Sequence, residues 1–324
     1  MDQGCSQSKV FEGTALCKRK YRKGDGKKMT KKKKRGIDFI TAGFLAPAFL
    51  FFTLFIIVPT IASVYYSFTS WDGLNPVVKF IGLSNYKEIA TSARFGNALK
   101  NTIILTAFIS ILENTMALTL ALMVDHVKWG KNFFRSAFYI PVLISGIVSG
   151  FIWKIMYNYN FGAVNTILKE IGMGNYSQDW LGNPKLALVM VGVVLVWKGA
   201  GYYMIIYLAS LQSVPTDVTE AAAIDGASPL QRFKAITLPL ISGAFTINFT
   251  LSLINGLKVF DQISVMTDGG PGFTTETMVY LLYKVGFNEG RQGFGTAVGI
   301  VLLFIILILN GIQQSILKKR EVQL

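Results

Sequence analysis

Apolar residues of this 324-residue chain gather in six blocks, roughly 40–67, 99–123, 135–156, 186–211, 238–260 and 294–316, with polar stretches between them. A helix needs about 20 apolar residues to cross the hydrocarbon core of a bilayer, so each block is predicted to be a membrane-spanning helix. The blocks are not uniform. Glu113 and Asn114 sit inside the second, and Lys198 with several glycines interrupts the fourth. Pro47 and Pro59 fall in the first, where lipid-embedded neighbours can re-satisfy the carbonyls they free. Gly146 and Gly150 give the third a small-xxx-small face, read as a helix contact. The expected fold class is an all-α integral membrane protein with six transmembrane helices.

Composition agrees with this pattern. Hydrophobic residues make up 52% of the chain and charged residues 15%, where a soluble domain carries about a quarter charged. The formal charge of +14 is unevenly placed, because residues 1–38 hold 13 Lys/Arg against four acids. The run Lys27–Arg35 precedes the first apolar block, where it is attracted to anionic headgroups and resists translocation. No aromatic residue interleaves with it, so a membrane-lipid partner is expected and a nucleic acid is not. With the N-terminus in the cytoplasm, the inner segments collect 21 Lys/Arg and the outer loops seven, which predicts cytoplasmic N- and C-termini. Cys5 and Cys17 both lie in the tail and are expected to be reduced thiols without a structural role. The first block begins too late and runs too long for a secretory signal, so it is expected to be retained. His126 is the only histidine, which leaves no multi-histidine metal site, and no nucleophile–base pair emerges to suggest a catalytic residue.

One inter-block segment carries more information than a loop needs. Between the fourth and fifth blocks runs PTDVTEAAAIDGASPLQRFKAITLP, residues 215–239. Glu220 to Ile224 favours helix, Gly226 permits a turn that a Cβ would resist, and a short amphipathic stretch with Phe233 and Ile236 follows. A helix–turn–helix on the cytoplasmic face is predicted, its small side chains open to the groove of another protein. An interfacial helix resting on lipid is the plainer alternative.

The spacing Glu-Ala-Ala, three residues, Gly, nine residues, Ile-x-Leu-Pro resembles the signature loop of binding-protein-dependent ABC importer permeases, with Glu220, Ala221, Ala222, Gly226, Ile236, Leu238 and Pro239 in register. LASLQSVP before the loop, TDGGP at 267–271, FIGLSNY at 80–86 and FRSAFYIPVLIS at 134–145 resemble the carbohydrate-importing, maltose and glycerol-phosphate type branch. The resemblance covers nearly everything from residue 40 onward. It implies a type I importer permease fold in the bacterial inner membrane, divided into a basic tail 1–38, a first span and outer loop 39–98, a permease core 99–317 with its coupling loop at 213–239, and a cytoplasmic end 318–324. It further implies that Glu220, Ala221, Ala222, Asp225 and Gly226 dock on an ATP-binding subunit. The implied partners are two copies of that subunit, a second homologous permease as a heterodimer, and an extracytoplasmic substrate-binding protein. No Gly-x-x-x-x-Gly-Lys-Ser/Thr occurs here, so no cofactor is expected on this chain; ATP and Mg belong to the partner ATPase subunits. The chain is not expected to be an enzyme.

A hydroxyl-rich substrate needs polar groups at membrane depth. Asn248, Ser252 and Asn255 share one helix face by their spacing, which suits either a lumen or interhelical hydrogen bonding. Lys198, Gly199, Tyr202 and Tyr203 form a second cluster, whose tyrosines suit sugar rings. Gly199, Tyr202 and Ser252 fall where the resemblance places a sugar site, although that family's asparagines are not reproduced one for one. Lys198 is open to two readings: a structural pair with Glu113, or a lumen cation favouring an acidic substrate such as a uronate oligosaccharide of alginate type. Lys154 and Lys258 are expected to snorkel outward. The substrate expected is a carbohydrate, with glycerol-phosphate or another small polar solute as the alternative. Neither repeated halves nor symmetric broken helices, as in secondary transporters, are visible. The outer acids, Glu88, Asp261, Glu276 and Glu289 among them, are too scattered to suggest a glycan-modifying site.

Overall fold

The computed structural model describes residues 39–318, with side chains from Gly43 onward; the basic tail with Cys5 and Cys17, and Lys319 and Arg320, lie outside the described residues. All regular elements among the described residues are helices, with one isolated antiparallel bridge at Thr69–Phe80. The chain divides into two units at Ile57 and Val58. The first contains α1 (Phe39–Phe52), continued by a π-helical turn Thr53–Ile57, and none of its described side chains is buried.

The second unit opens with α2 (Val58–Tyr66), α3 (Ser84–Thr91), α4 (Ala93–His126), α5 (Lys131–Leu143), α6 (Gly146–Met156), α7 (Ala163–Glu170) and α8 (Ala187–Leu211). It continues with α9 (Thr216–Ile224), α10 (Pro229–Arg232), α11 (Leu238–Leu240), α12 (Ser242–Leu257), α13 (Asp261–Met266), α14 (Met278–Tyr283) and α15 (Gln292–Leu317). Four helical stretches are long and apolar enough to cross a membrane: Gly43–Tyr66, Ala93–His126, Ala187–Leu211 and Gln292–Leu317. Two bent pairs bring the number to six, and they correct the straight helices expected from the third and fifth blocks.

In the third block α5 and α6 meet at 94°. Ile144 and Ser145 are both extended, and the Ser145 hydroxyl accepts from the Val148 amide at 3.2 Å, so α6 starts afresh with its own N-cap. In the fifth block the helical stretch Pro229–Leu240 turns by 66° into α12. That helix stops at Leu257, short of the expected boundary at 260. Lys198 and its neighbouring glycines leave α8 unbroken. Gly201 is instead the place where α5 crosses, since a Cβ there would press on the Phe138 carbonyl. Gly150 packs against Val265 and Met266, a helix contact of α6 with α13.

The core of this unit is the bundle of α4, α8 and α12. Ala117 and Ala121 let α4 approach Met204, Tyr207 and Leu208 of α8 and Ile241, all buried together. Thirty-four residues make α4 about 51 Å long, well beyond the roughly 30 Å hydrocarbon thickness. Its first turns therefore reach into the polar loops. There Arg94 holds Glu276 through both carboxylate oxygens, at 2.8 and 2.9 Å, and Glu289 at 2.7 Å. Asn101 donates to the carbonyls of Phe273 and Glu276 at 3.2 and 3.1 Å, so α4 organises the whole loop 267–277. Arg291 pairs with Glu88 at 2.6 Å. Acids that are scattered in sequence are thus gathered here and matched by arginines. Asn85, within the 80–86 motif, donates to the Ser67 and Thr69 carbonyls at 2.9 Å each and fixes the chain leaving α2.

Glu276 is 1% exposed, so removing Arg94 strands a buried carboxylate. Arg94→Met should cost stability near the lower end of about 3–5 kcal/mol. Adding Glu276→Gln should recover much of the loss. Thermal unfolding of the detergent-solubilised protein checks both.

Candidate functional site

A cavity of about 470 Å³ opens between α4, α8, the end of α12, α13 and the α5–α6 junction. Lys198, Gly199, Tyr202, Tyr203 and Asn255 line it, which brings together five of the seven residues expected along a substrate path. Tyr203 is buried and its hydroxyl accepts from the Asn255 amide at 3.3 Å, while Tyr202 meets it edge-on and stays 41% exposed. One ring is thereby fixed and the other offers an apolar face with a polar tip.

Asn248 and Ser252 lie elsewhere. Both are fully buried. Asn248 donates to the Tyr203 carbonyl at 3.1 Å, which ties α12 to α8. Ser252 accepts at 3.1 Å from the Asn114 amide nitrogen, and the amide oxygen of Asn114 accepts from the Tyr207 hydroxyl at 2.8 Å. The three residues do share a face of α12, but that face meets α8 and α4 for most of its length and reaches the cavity only at Asn255. Interhelical hydrogen bonding, the alternative to a lumen, describes the other two.

Three charged residues join the cavity wall: Glu113, Lys258 and Asp261. Glu113 and Lys198 line the same space without forming an ion pair, as judged among the described residues. Lys258 caps the end of α12 and borders the cavity, where the sequence suggested an outward, snorkelling side chain. Lys154 donates to the Val265 carbonyl at 2.9 Å. The signal for Glu113 was present as a carboxylate in an apolar block; that for Asp261 was not, because it follows the block in what reads as a loop.

The second locus lies at the end of the bundle that carries His126. The helix α9 ends at Ile224 with Asp225 as its C-cap, and Gly226 follows with φ +83°. The Gly226 and Ala227 amides donate back to the Ala223 and Ala222 carbonyls at 3.1 and 3.0 Å, a Schellman closure that requires the left-handed residue. Ser228 then starts α10 with a capping box, exchanging bonds with Gln231 at 2.8 and 3.4 Å. Arg232 reaches back to the Thr219 carbonyl at 3.5 Å. Glu220, Ala221, Asp225 and Gly226 are exposed on this elbow and Ala222 is half-buried. Ile224 is 87% exposed beside them, with Val218 and Leu230 also open. Exposed apolar side chains around a rigid, small-residue turn make a surface suited to a protein groove.

Residues 113–322 match the family model described as binding-protein-dependent transport system inner membrane component. A probable starch degradation products transport system permease protein of Thermoanaerobacterium thermosulfurigenes is 35% identical over 87% of this chain and 94% of its own length. The trehalose/maltose transport system permease protein of Thermococcus litoralis is 34% identical over 78% of this chain and 85% of its own. Among solved structures, a chain of a bacterial ABC transporter involved in the import of the acidic polysaccharide alginate superposes with a TM-score of 0.77 at 25% identity, covering 87% of this chain and 96% of that one.

Ser252→Ala and Asn255→Ala should separate packing from lining. The first deprives the buried Asn114 amide of a partner and should cost about 1–3 kcal/mol. The second sits at the cavity and should change stability by no more than about 0.5 kcal/mol. Unfolding midpoints of the two purified variants decide it.

Proposed function

The chain belongs to the binding-protein-dependent transport system inner membrane components, and on that premise we propose that it is the permease subunit of an importer for an oligosaccharide. The translocated sugar comes from an extracytoplasmic binding protein, and ATP is hydrolysed by two partner subunits rather than by this chain. A second, homologous permease completes the path. The basic tail and the C-terminus face the cytoplasm, which puts the elbow on the side where nucleotide is available.

The observation that carries this reading is the elbow itself. Schellman closure and capping box lock both sides of the Gly226 turn, and the π-helical turn Phe233–Thr237 continues the second arm into α11, which abuts α12. Such a lever transmits displacement instead of absorbing it. When ATP binding draws the partner subunits together, Glu220, Ala221, Ala222, Asp225 and Gly226 move with the groove they occupy, and the bundle around the cavity opens to the other side. The sugar reading is supported by the cavity's tyrosines and asparagine, and by relatives whose names refer to starch products and trehalose/maltose.

An acidic oligosaccharide is the second reading. Lys198 and Lys258 in the cavity favour it, as does similarity to the alginate transporter chain. Glu113 and Asp261 also line the cavity, however, so its wall is not purely cationic.

Gly226→Pro should abolish uptake by the assembled transporter while leaving the amount of protein in the membrane unchanged, because proline holds φ near −65° and cannot adopt the left-handed turn. Vesicle uptake driven by ATP, measured beside a membrane-fraction immunoblot, tests this. Undiminished uptake would remove the coupling assignment.

A further inference from the structure

Of the four charged side chains around the cavity, two have an evident local reason for their place. Asp261 rests against Gly146, the first residue of α6, where the positive end of that helix favours a carboxylate. Lys258 is the C-cap of α12, where the negative end favours a cation. Glu113 has no such account. It stands in the middle of α4, is 5% exposed, and makes neither a hydrogen bond nor an ion pair within the described residues. Its neighbour Asn114, by contrast, has bonds to Ser110, Ser252 and Tyr207. A carboxyl group that lines a cavity and has no protein donor keeps its hydrogen-bonding capacity for whatever enters that space.

The surroundings aim this carboxylate at the cavity. Its oxygen lies so close to Gly199 that a Cβ on that residue would collide with it. Gly199 therefore acts as a window on the facing helix, leaving room for the carboxyl. Tyr202 and Lys198 border the same space. Two oxygens on one planar carboxyl group match two neighbouring hydroxyls of a sugar ring.

We propose that Glu113 is a specificity-determining residue of the translocation path, accepting hydrogen bonds from adjacent hydroxyls of a neutral sugar while Gly199 leaves it room to do so. The inference rests on the carbohydrate reading above and refines it. Lys198 donates to the same sugar from the side of Tyr202, so that the site selects by hydroxyl geometry.

The transporter assembled in vesicles with its binding protein and ATPase subunits is tested for uptake of radiolabelled maltotriose, chitotriose and trigalacturonate. Wild type, Glu113→Gln, Glu113→Ala, Lys198→Met and the Glu113→Gln/Lys198→Met double variant are compared. Loss of the carboxyl in Glu113→Ala should lower uptake of the neutral sugar by about tenfold or more. The thermal midpoint of the solubilised Glu113→Gln complex should stay level, because the side chain has no protein hydrogen bond or ion pair to lose. A lowered midpoint together with restoration of uptake in the double variant would make Glu113 a structural partner of Lys198 and overturn the proposal. Full neutral-sugar uptake by Glu113→Ala, or a wild type that carries trigalacturonate in preference, would overturn it equally. If wild type carries none of the three sugars while ATP hydrolysis still responds to the binding protein, it is the carbohydrate reading that falls.

Discussion

In hydrocarbon a polar side chain has to find its partners within the protein, and Asn114 finds them on its own helix and on both neighbours. Its amide donates to Ser110 of α4 and Ser252 of α12, and its oxygen accepts from Tyr207 of α8. One side chain thus registers three helices at a single level. Everything around it follows from that alignment. Asn248 can reach the Tyr203 carbonyl, Tyr203 can meet Asn255, and the next turn of α12 opens onto the cavity. Apolar packing alone supplies little directional preference between helices surrounded by lipid. The polar node provides the register, and small residues such as Ala117 and Ala121 allow the close approach that makes it reachable.

The features most legible in the sequence are those whose causes are local. The elbow is the clearest case, because a left-handed glycine after a short helix and a serine three residues before a glutamine each act within one turn of backbone. The six apolar blocks are legible for a similar reason, since length against bilayer thickness decides them. Bends are harder. Pro141 and Ser145 are visible in the third block, yet unbroken hydrophobicity hides the two extended residues that turn the helix by 94°. The spacing of Asn248, Ser252 and Asn255 correctly puts them on one face, but periodicity carries no information about what that face meets. Lys258 shows the same limit. Its direction depends on where α12 ends, and helix ends are the least determined boundaries in an apolar run.

The two bent pairs change how the bundle is understood mechanically. The junction of α5 and α6 delivers Val142 and Gly146 to the space beside Lys198, adding to the walls that the unbroken α4 and α8 provide. The bend at Ile241 does comparable work at the other end. It joins the stiff arm that begins at Pro229 to the helix that carries Asn255. In the proposed coupling, movement at the elbow passes through this bend to one wall of the cavity.

Arg94 and Glu276 are separated by 182 residues of chain. During synthesis the amino-terminal end of α4 is made long before its anion exists, since the rest of α4 and three further apolar segments come between them. Only when the loop following α13 emerges can that corner close, and with it the carbonyls that Asn101 gathers. A polypeptide truncated before residue 276 would have most of its helices and lack the clasp at this polar corner.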